Sequence, residues 1–188
     1  LPVVKHFIES VRGAALGERL ASVLEVVYLV FNEGYTATAG AHWMRPALCE
    51  DALRLGRLVA ELVPQDPEVH GLVALMEIQA SRAAARTGPA GEPILLLDQD
   101  RARWDQLLIR RGLAALARAE SLGGAFGPYA LQAAIAACHA LFETKAVARG
   151  LLIVPAALKV QWQREWTTVS EVPVTIVEGS AAERARLY

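Results

Sequence analysis

At 188 residues, 54% hydrophobic but only 6% aromatic, the chain has room for one domain, or one domain with a small appendage, around an Ala/Leu/Val core. Nineteen basic against 20 acidic residues leave a formal charge of −1, which excludes a global field drawing the chain to nucleic acid or anionic lipid. No apolar run approaches the roughly 18 residues of a membrane span, and no signal-peptide pattern opens the chain.

Cys49 and Cys138 sit singly in helical patterns and read as small buried hydrophobes in a reducing compartment. His6, His42, His70 and His139 have no metal-like spacing with each other or with cysteine, and no nucleophile elbow or zinc-helix motif is present. No metal, cofactor, small-molecule substrate or catalytic activity is expected. The chain starts at Leu1 without methionine, which reads as a fragment or a trimmed piece.

Leu20, Val23, Leu24, Val27 and Phe31 recur at three- and four-residue spacing and predict a first amphipathic helix of about four turns. It runs into Asn32, Glu33, Gly34 and Tyr35. Gly34 is expected to take the left-handed conformation that closes a helix. Glu33 then faces the negative end of the helix dipole, which implies a specific partner, or else a merely solvated helix end. Pro46 suits the first position of a second helix with Leu48, Ala52, Leu55, Val59 and Leu62 inward, ended by Pro64. Asp66 and Pro67 cap and open a third, with Val69, Leu72, Val73, Met76 and Ala80 inward. A very short turn makes helices two and three antiparallel neighbours.

Residues 87–93 are a loop by chemistry, and 94–97 are an apolar run too brief to assign. Asp98 or Asp100 is expected to cap a fourth helix carrying Trp104, Leu107, Leu108, Leu113 and Leu116, stopped by Gly123 and Gly124. Gly127 and Pro128 start a fifth, with Leu131, Ile135 and Cys138 inward and Ala133, Ala134, Ala136 and Ala137 permitting close approach. Beyond Arg149 the texture changes: 151–154 and 172–177 read as strands flanking a helix over 156–166. Two strands cannot bury both faces, so this segment lacks the rest of its sheet. The fold class is all-α, tetratricopeptide-like antiparallel helix pairs, with a short strand–helix–strand appendage. Its divisions are a linker or leading helix over 1–19, a helical domain over 20–142 and an incomplete α/β segment over 143–188.

Four islands, Phe31-Asn-Glu-Gly-Tyr35, Leu48-Cys-Glu-Asp-Ala-Leu-Arg-Leu55, Asp98-Gln-Asp-Arg-Ala-Arg-Trp-Asp105 and Gly127-Pro-Tyr-Ala-Leu-Gln-Ala-Ala-Ile-Ala-Ala-Cys-His139, resemble the C-terminal extension of a subgroup of bacterial extracytoplasmic-function sigma factors. The resemblance covers about residues 20–140. It implies a cytoplasmic, tetratricopeptide-like domain that acts in transcription initiation by contacting the sigma core domains or RNA polymerase, with DNA reached only through sigma domains outside this chain. Two departures stand out. The loop that carries an acidic-glycine-acidic pattern in that subgroup keeps Gly91 and Glu92 but loses the preceding acid, and the closing helix after His139 is absent.

The segment Leu151-Leu-Ile-Val-Pro-Ala-Ala-Leu-Lys-Val-Gln-Trp-Gln-Arg-Glu-Trp166 is similar instead to a stretch of Swi/Snf-type helicase-like ATPases. That likeness implies Lys159, Gln161 and Arg164 as phosphate contacts, yet no phosphate-cradling loop or magnesium-binding acid pair accompanies it. A fused or mis-joined reading frame near residues 140–148 is the simplest account. A free-standing tetratricopeptide-like adaptor is the third reading.

The polar residues carry competing roles. Asp98, Gln99, Asp100 and Arg101 form either an interaction cluster or a helix cap. Arg82 and Arg86, one turn apart on helix three, either pair with Asp98, Asp100 or Glu33 or form a solvated strip. Trp104 is a core residue or a binding platform. Tyr129 and Gln132 line a groove or simply begin helix five. With Asn32, Glu33 and Tyr35, these are the candidate partner-binding or structural network.

Overall fold

The computed structural model describes residues 14–39, 43–123 and 127–146, together with 160, 163, 164, 166, 167, 173 and 174. The described residues contain helices and short 3-10 turns, with no strand; Thr87 and Pro93 form an isolated antiparallel bridge. The helices are α1 (Ala14–Tyr35), α2 (Pro46–Leu62), α3 (Pro67–Ala80), α4 (Gln106–Ser121) and α5 (Pro128–Glu143). The 3-10 turns span Ala83–Ala85, Leu96–Asp98 and Arg101–Arg103. The molecule is all-α in this sense. No helix among the described residues is long and apolar enough to cross a membrane.

The chain divides into two compact units, Leu1–Ala137 and Cys138–Tyr188. In the first, α3 is central. It packs against α1, α2 and α4, and it is buried at Val69, Gly71 through Ile78 and Ala80. The sequence pattern predicts a single inward face. An apolar helix with neighbours on every side has no outer face to keep polar, so the remaining positions are buried too. Around it, α1 buries Leu20, Leu24, Val27 and Phe31, α2 buries Cys49, Ala52, Leu53 and Val59, and α4 buries Ile109 and Ala119. Two leucines expected inward, Leu55 of α2 and Leu107 of α4, face out. Leu53 and Gly56 hold the inner face of α2, and Ile109 and Gly112 that of α4.

One glycine marks each main crossing in this unit. A Cβ on Gly34 of α1 would stand 2.7 Å from the Cys49 amide nitrogen of α2. On Gly56 of α2 it would meet Met76 of α3 at 2.6 Å, and on Gly112 of α4 it would meet Ile78 of α3 at 2.5 Å. On Gly71 of α3 it would reach the backbone nitrogen of Ala130 in α5 at 2.6 Å. Helices that approach this closely gain dispersion contacts along their backbones. Gly34 thus corrects the expectation: it lies inside α1, the left-handed glycines among the described residues are Gly91 and Gly123, and its role is contact with α2. Gly123, at φ 82°, does end α4 as expected.

In the second unit, Phe142 and Trp166 meet edge to face with ring centroids 5.9 Å apart. Residues 160, 163, 164, 166 and 167 are helical, as expected for part of 156–166. The first expected strand lies outside the described residues. Of the second, only Pro173 and Val174 are described, and they are not in a strand.

Candidate functional site

The corner where α1 ends joins residues the sequence singles out, Asn32, Glu33, Tyr35 and Arg86, to Thr38, Trp43 and Arg45, which it does not. The Glu33 carboxylate accepts from the Thr38 amide at 3.1 Å and the Thr38 hydroxyl at 2.9 Å, and pairs with Arg45 Nη1 at 3.1 Å. It does have a specific partner. The Thr38 amide and hydroxyl, with the charge of Arg45 behind them, hold this carboxyl below its usual range despite the adverse helix dipole. Asn32 contributes its carbonyl, which accepts from the Thr36 amide at 2.8 Å.

Tyr35 stacks on Phe31, centroids 5.6 Å apart. The Arg86 guanidinium lies 3.5 Å from the Tyr35 ring centroid and 4.9 Å from that of Trp43. Its Nη1 donates to the Tyr35 carbonyl and its Nη2 to the Thr36 hydroxyl at 3.1 Å. Burial pushes this guanidinium below its usual pKa, and the neighbouring Arg82 acts in the same direction. Trp43 donates its indole N–H to the Gly91 carbonyl at 3.0 Å, bringing the 87–93 turn onto the same corner. That turn is closed by the Ile94 amide donating to the Arg86 carbonyl at 2.8 Å and the Gly88 amide to the Glu92 carbonyl at 2.8 Å.

Arg82 and Arg86 are not on α3. The helix ends at Ala80, and the two arginines flank the Ala83–Ala85 turn. Neither pairs with Asp98, Asp100 or Glu33, so the expected network is replaced by arginine–aromatic stacking. Arg82 and Arg101 lie 5.9 and 5.5 Å from the Trp104 ring centroid. Trp104 is core, at 2% exposure, but it reaches the core from the segment before α4 and not from the helix stripe.

The fourth helix is capped by Asp105, which accepts from the Leu107 amide at 2.8 Å and the Leu108 amide at 3.1 Å. Asp100 caps the preceding 3-10 turn through the Ala102 amide, and Asp98 is exposed. The Asp105 amide donates to the Ser81 carbonyl at 2.8 Å, which ties the start of α4 to the end of α3 and moves the cap five residues beyond Asp100. Gln99 is buried, its side-chain amide nitrogen donating to the Ile94 carbonyl at 3.3 Å, and its backbone carbonyl accepts from Arg101.

Tyr129 and Gln132 come together on a third residue, Tyr28 of α1. The two tyrosines meet edge-on at 5.5 Å, and the Tyr28 hydroxyl is 3.4 Å from Gln132 Oε1. Sequence reasoning missed Glu68, whose carboxylate accepts from the Tyr129 amide at 2.9 Å and the Ala130 amide at 3.3 Å. It caps α5 from 60 residues away, so no local motif signals it. Burial pushes its carboxyl up, against the pull of those two amides. Also missed is the half-exposed Arg57, whose Nε lies 2.8 Å from Oε1 of the buried Glu77.

Cys49 is buried in the α1–α2 crossing, and desolvation lifts its thiol to about 11; burial raises the Cys138 thiol as well. Arg164 lies in the second unit, while Lys159 and Gln161 fall outside the described residues. Among the described residues no cluster of three His, Cys, Asp or Glu could hold a metal ion. The outer face of α1 presents Val26 and Leu29, each 59% exposed and one turn apart, and Leu95 stands out beside the Arg86 corner.

No solved structure matches the chain. An uncharacterized protein of Rhizobium meliloti (strain 1021) is 48% identical over 126 residues, covering 67% of this chain. The chain spans 30% of that relative's length. Residues 19–120 match the model of a family of unknown function, DUF6596, and the chain belongs to that family.

Proposed function

We propose that this chain is a non-catalytic protein-contact module, the tetratricopeptide-like C-terminal extension of an extracytoplasmic-function sigma factor. In that role it acts in the cytoplasm and contacts the sigma core domains or RNA polymerase. One observation carries the reading. All four resembling islands serve joints of the helical scaffold: Gly34 against Cys49, Trp104 buried ahead of α4, Asp105 capping it, and Ala130 against Gly71. Residues spent on joints leave recognition to the outer faces, where Val26, Leu29, Leu95 and the arginine corner stand.

The short α2–α3 turn and the Gly56–Met76 contact support helix pairing of the tetratricopeptide kind. The relative's length outside the match leaves room for promoter-recognising domains. The full-length Rhizobium meliloti relative supplies the test. It should co-purify with core RNA polymerase and direct promoter-specific run-off transcription, and deleting its matched segment should change that output. A relative that neither binds core polymerase nor initiates transcription overturns the reading.

A further inference from the structure

The arginine corner is electrically unbalanced. Arg86 spends its two terminal nitrogens on neutral acceptors, the Tyr35 carbonyl and the Thr36 hydroxyl. Arg82, its neighbour across the Ala83–Ala85 turn, has a buried Nε with no acceptor among the described residues. The nearby acids are engaged or turned away: Glu33 on Thr38 and Arg45, Glu92 on the Ala90 amide, Asp100 and Asp105 on the amides they cap, and Asp98 in solvent. Two adjacent guanidinium groups with no carboxylate paired to them among the described residues repel one another, and an anion set between them relieves that repulsion. Both side chains are only partly buried, so a partner can reach them. Leu95, 73% exposed, directly follows Ile94, whose amide donates to the Arg86 carbonyl.

We infer that Arg82 and Arg86 receive a carboxylate from a short acidic segment of a partner protein, with Leu95 taking an apolar residue next to that acid. A guanidinium edge fits a planar carboxylate; because both terminal nitrogens of Arg86 already donate to neutral acceptors, Arg82 supplies the fork and Arg86 the second positive charge. A nucleic-acid backbone fits poorly. Its recurring phosphates call for a basic track, and the chain as a whole carries 20 acidic against 19 basic residues. The inference rests on the reading of this chain as a protein-contact module, and not on which machinery it serves.

Calorimetry on the full chain at low salt tests it, with an acetylated Glu-Glu-Leu-Glu-Glu peptide as probe and its Gln-Gln-Leu-Gln-Gln counterpart and inorganic phosphate as comparators. The acidic peptide should bind about tenfold more tightly than either comparator, and Arg82→Gln should weaken it by about tenfold. Leu95→Glu, a change at an exposed position that folding should tolerate, sets a competing carboxylate beside the arginines and should abolish peptide binding. Absence of binding, equal binding of the glutamine peptide or phosphate, or indifference to both substitutions overturns the proposal. Peptide binding by this chain together with a transcription-inactive relative would remove the sigma-factor reading and keep the receptor. The opposite pair of results would do the reverse.

Discussion

The crossings around α3 and the corner at the end of α1 hold helices together by opposite means. At the crossings, a glycine lets backbone or side chain come within contact distance, and apolar packing carries the contact apart from the Glu68 cap on α5. At the corner, Glu33, Arg45, Tyr35, Trp43 and Arg86 span wider gaps with charged and aromatic groups that stay partly in water. A dry crossing tolerates no added atom and titrates only where a capping carboxylate joins it, as Glu68 does beside Ala130. A polar corner tolerates side-chain change but titrates. The two kinds of joint should therefore fail under different insults.

The largest effect should come from Gly71→Leu. A side chain there collides with the Ala130 backbone and not with a flexible tip, so α5 must move. A loss of about 3 kcal/mol in urea unfolding is expected. A loss below about 1 kcal/mol would mean the crossing is looser than the structure describes.

Next comes a contrast between two carboxylates. Glu68 has a raised pKa, so its contribution to stability is complete below the ordinary carboxylate pKa and is lost as pH rises through the raised value. Glu33 has a lowered pKa, so its contribution is present above the ordinary value and lost as pH falls through the lowered one. Urea midpoints of the parent, Glu33→Gln and Glu68→Gln should be compared from roughly pH 3 to 7. The parent's advantage over Glu33→Gln should widen as pH rises, while its advantage over Glu68→Gln, a cap worth about 1 kcal/mol, should narrow. If both gaps move in the same direction, the assignment of opposite environments is wrong.

The smallest effect sharpens the distinction between glycines. Gly17 sits in α1 with nothing within 4 Å of a built Cβ. Gly17→Ala should raise the melting temperature slightly, by about 0.5–1 kcal/mol of added stability, because it only removes chain entropy from the unfolded state. A destabilised variant would reveal a contact at that face.

Much of the first unit was readable in the chain. Pro46, the Asp66–Pro67 pair and Gly123 act locally, and each marks the helix boundary that its chemistry predicts. The failures share one cause: a distant partner decides. Three aspartates, Asp98, Asp100 and Asp105, all have cap chemistry, and the Ser81–Asp105 backbone bond selects the last. Gly34 resembles a terminator until Cys49 arrives from the next helix. Leu55 has the spacing of an inward residue, but the face carrying Leu53 and Gly56 is the one that meets α3. The candidate site was legible in part: Glu33, Tyr35 and Arg86 stand out in the sequence, while Thr38, Trp43, Arg45 and Glu68 are recruited only by the fold. Arg86 was expected to seek carboxylates and instead found two aromatic rings and a carbonyl.

The turn between Arg86 and Ile94 is closed at its base by a backbone bond, bridged once at Thr87 and Pro93, and clasped from outside by Trp43. Such a span has a fixed residue count. Side chains within it are free to diversify, but a single insertion would put Gly91 out of register with the indole that holds it, so lengthening of this family's chains is expected in other connections.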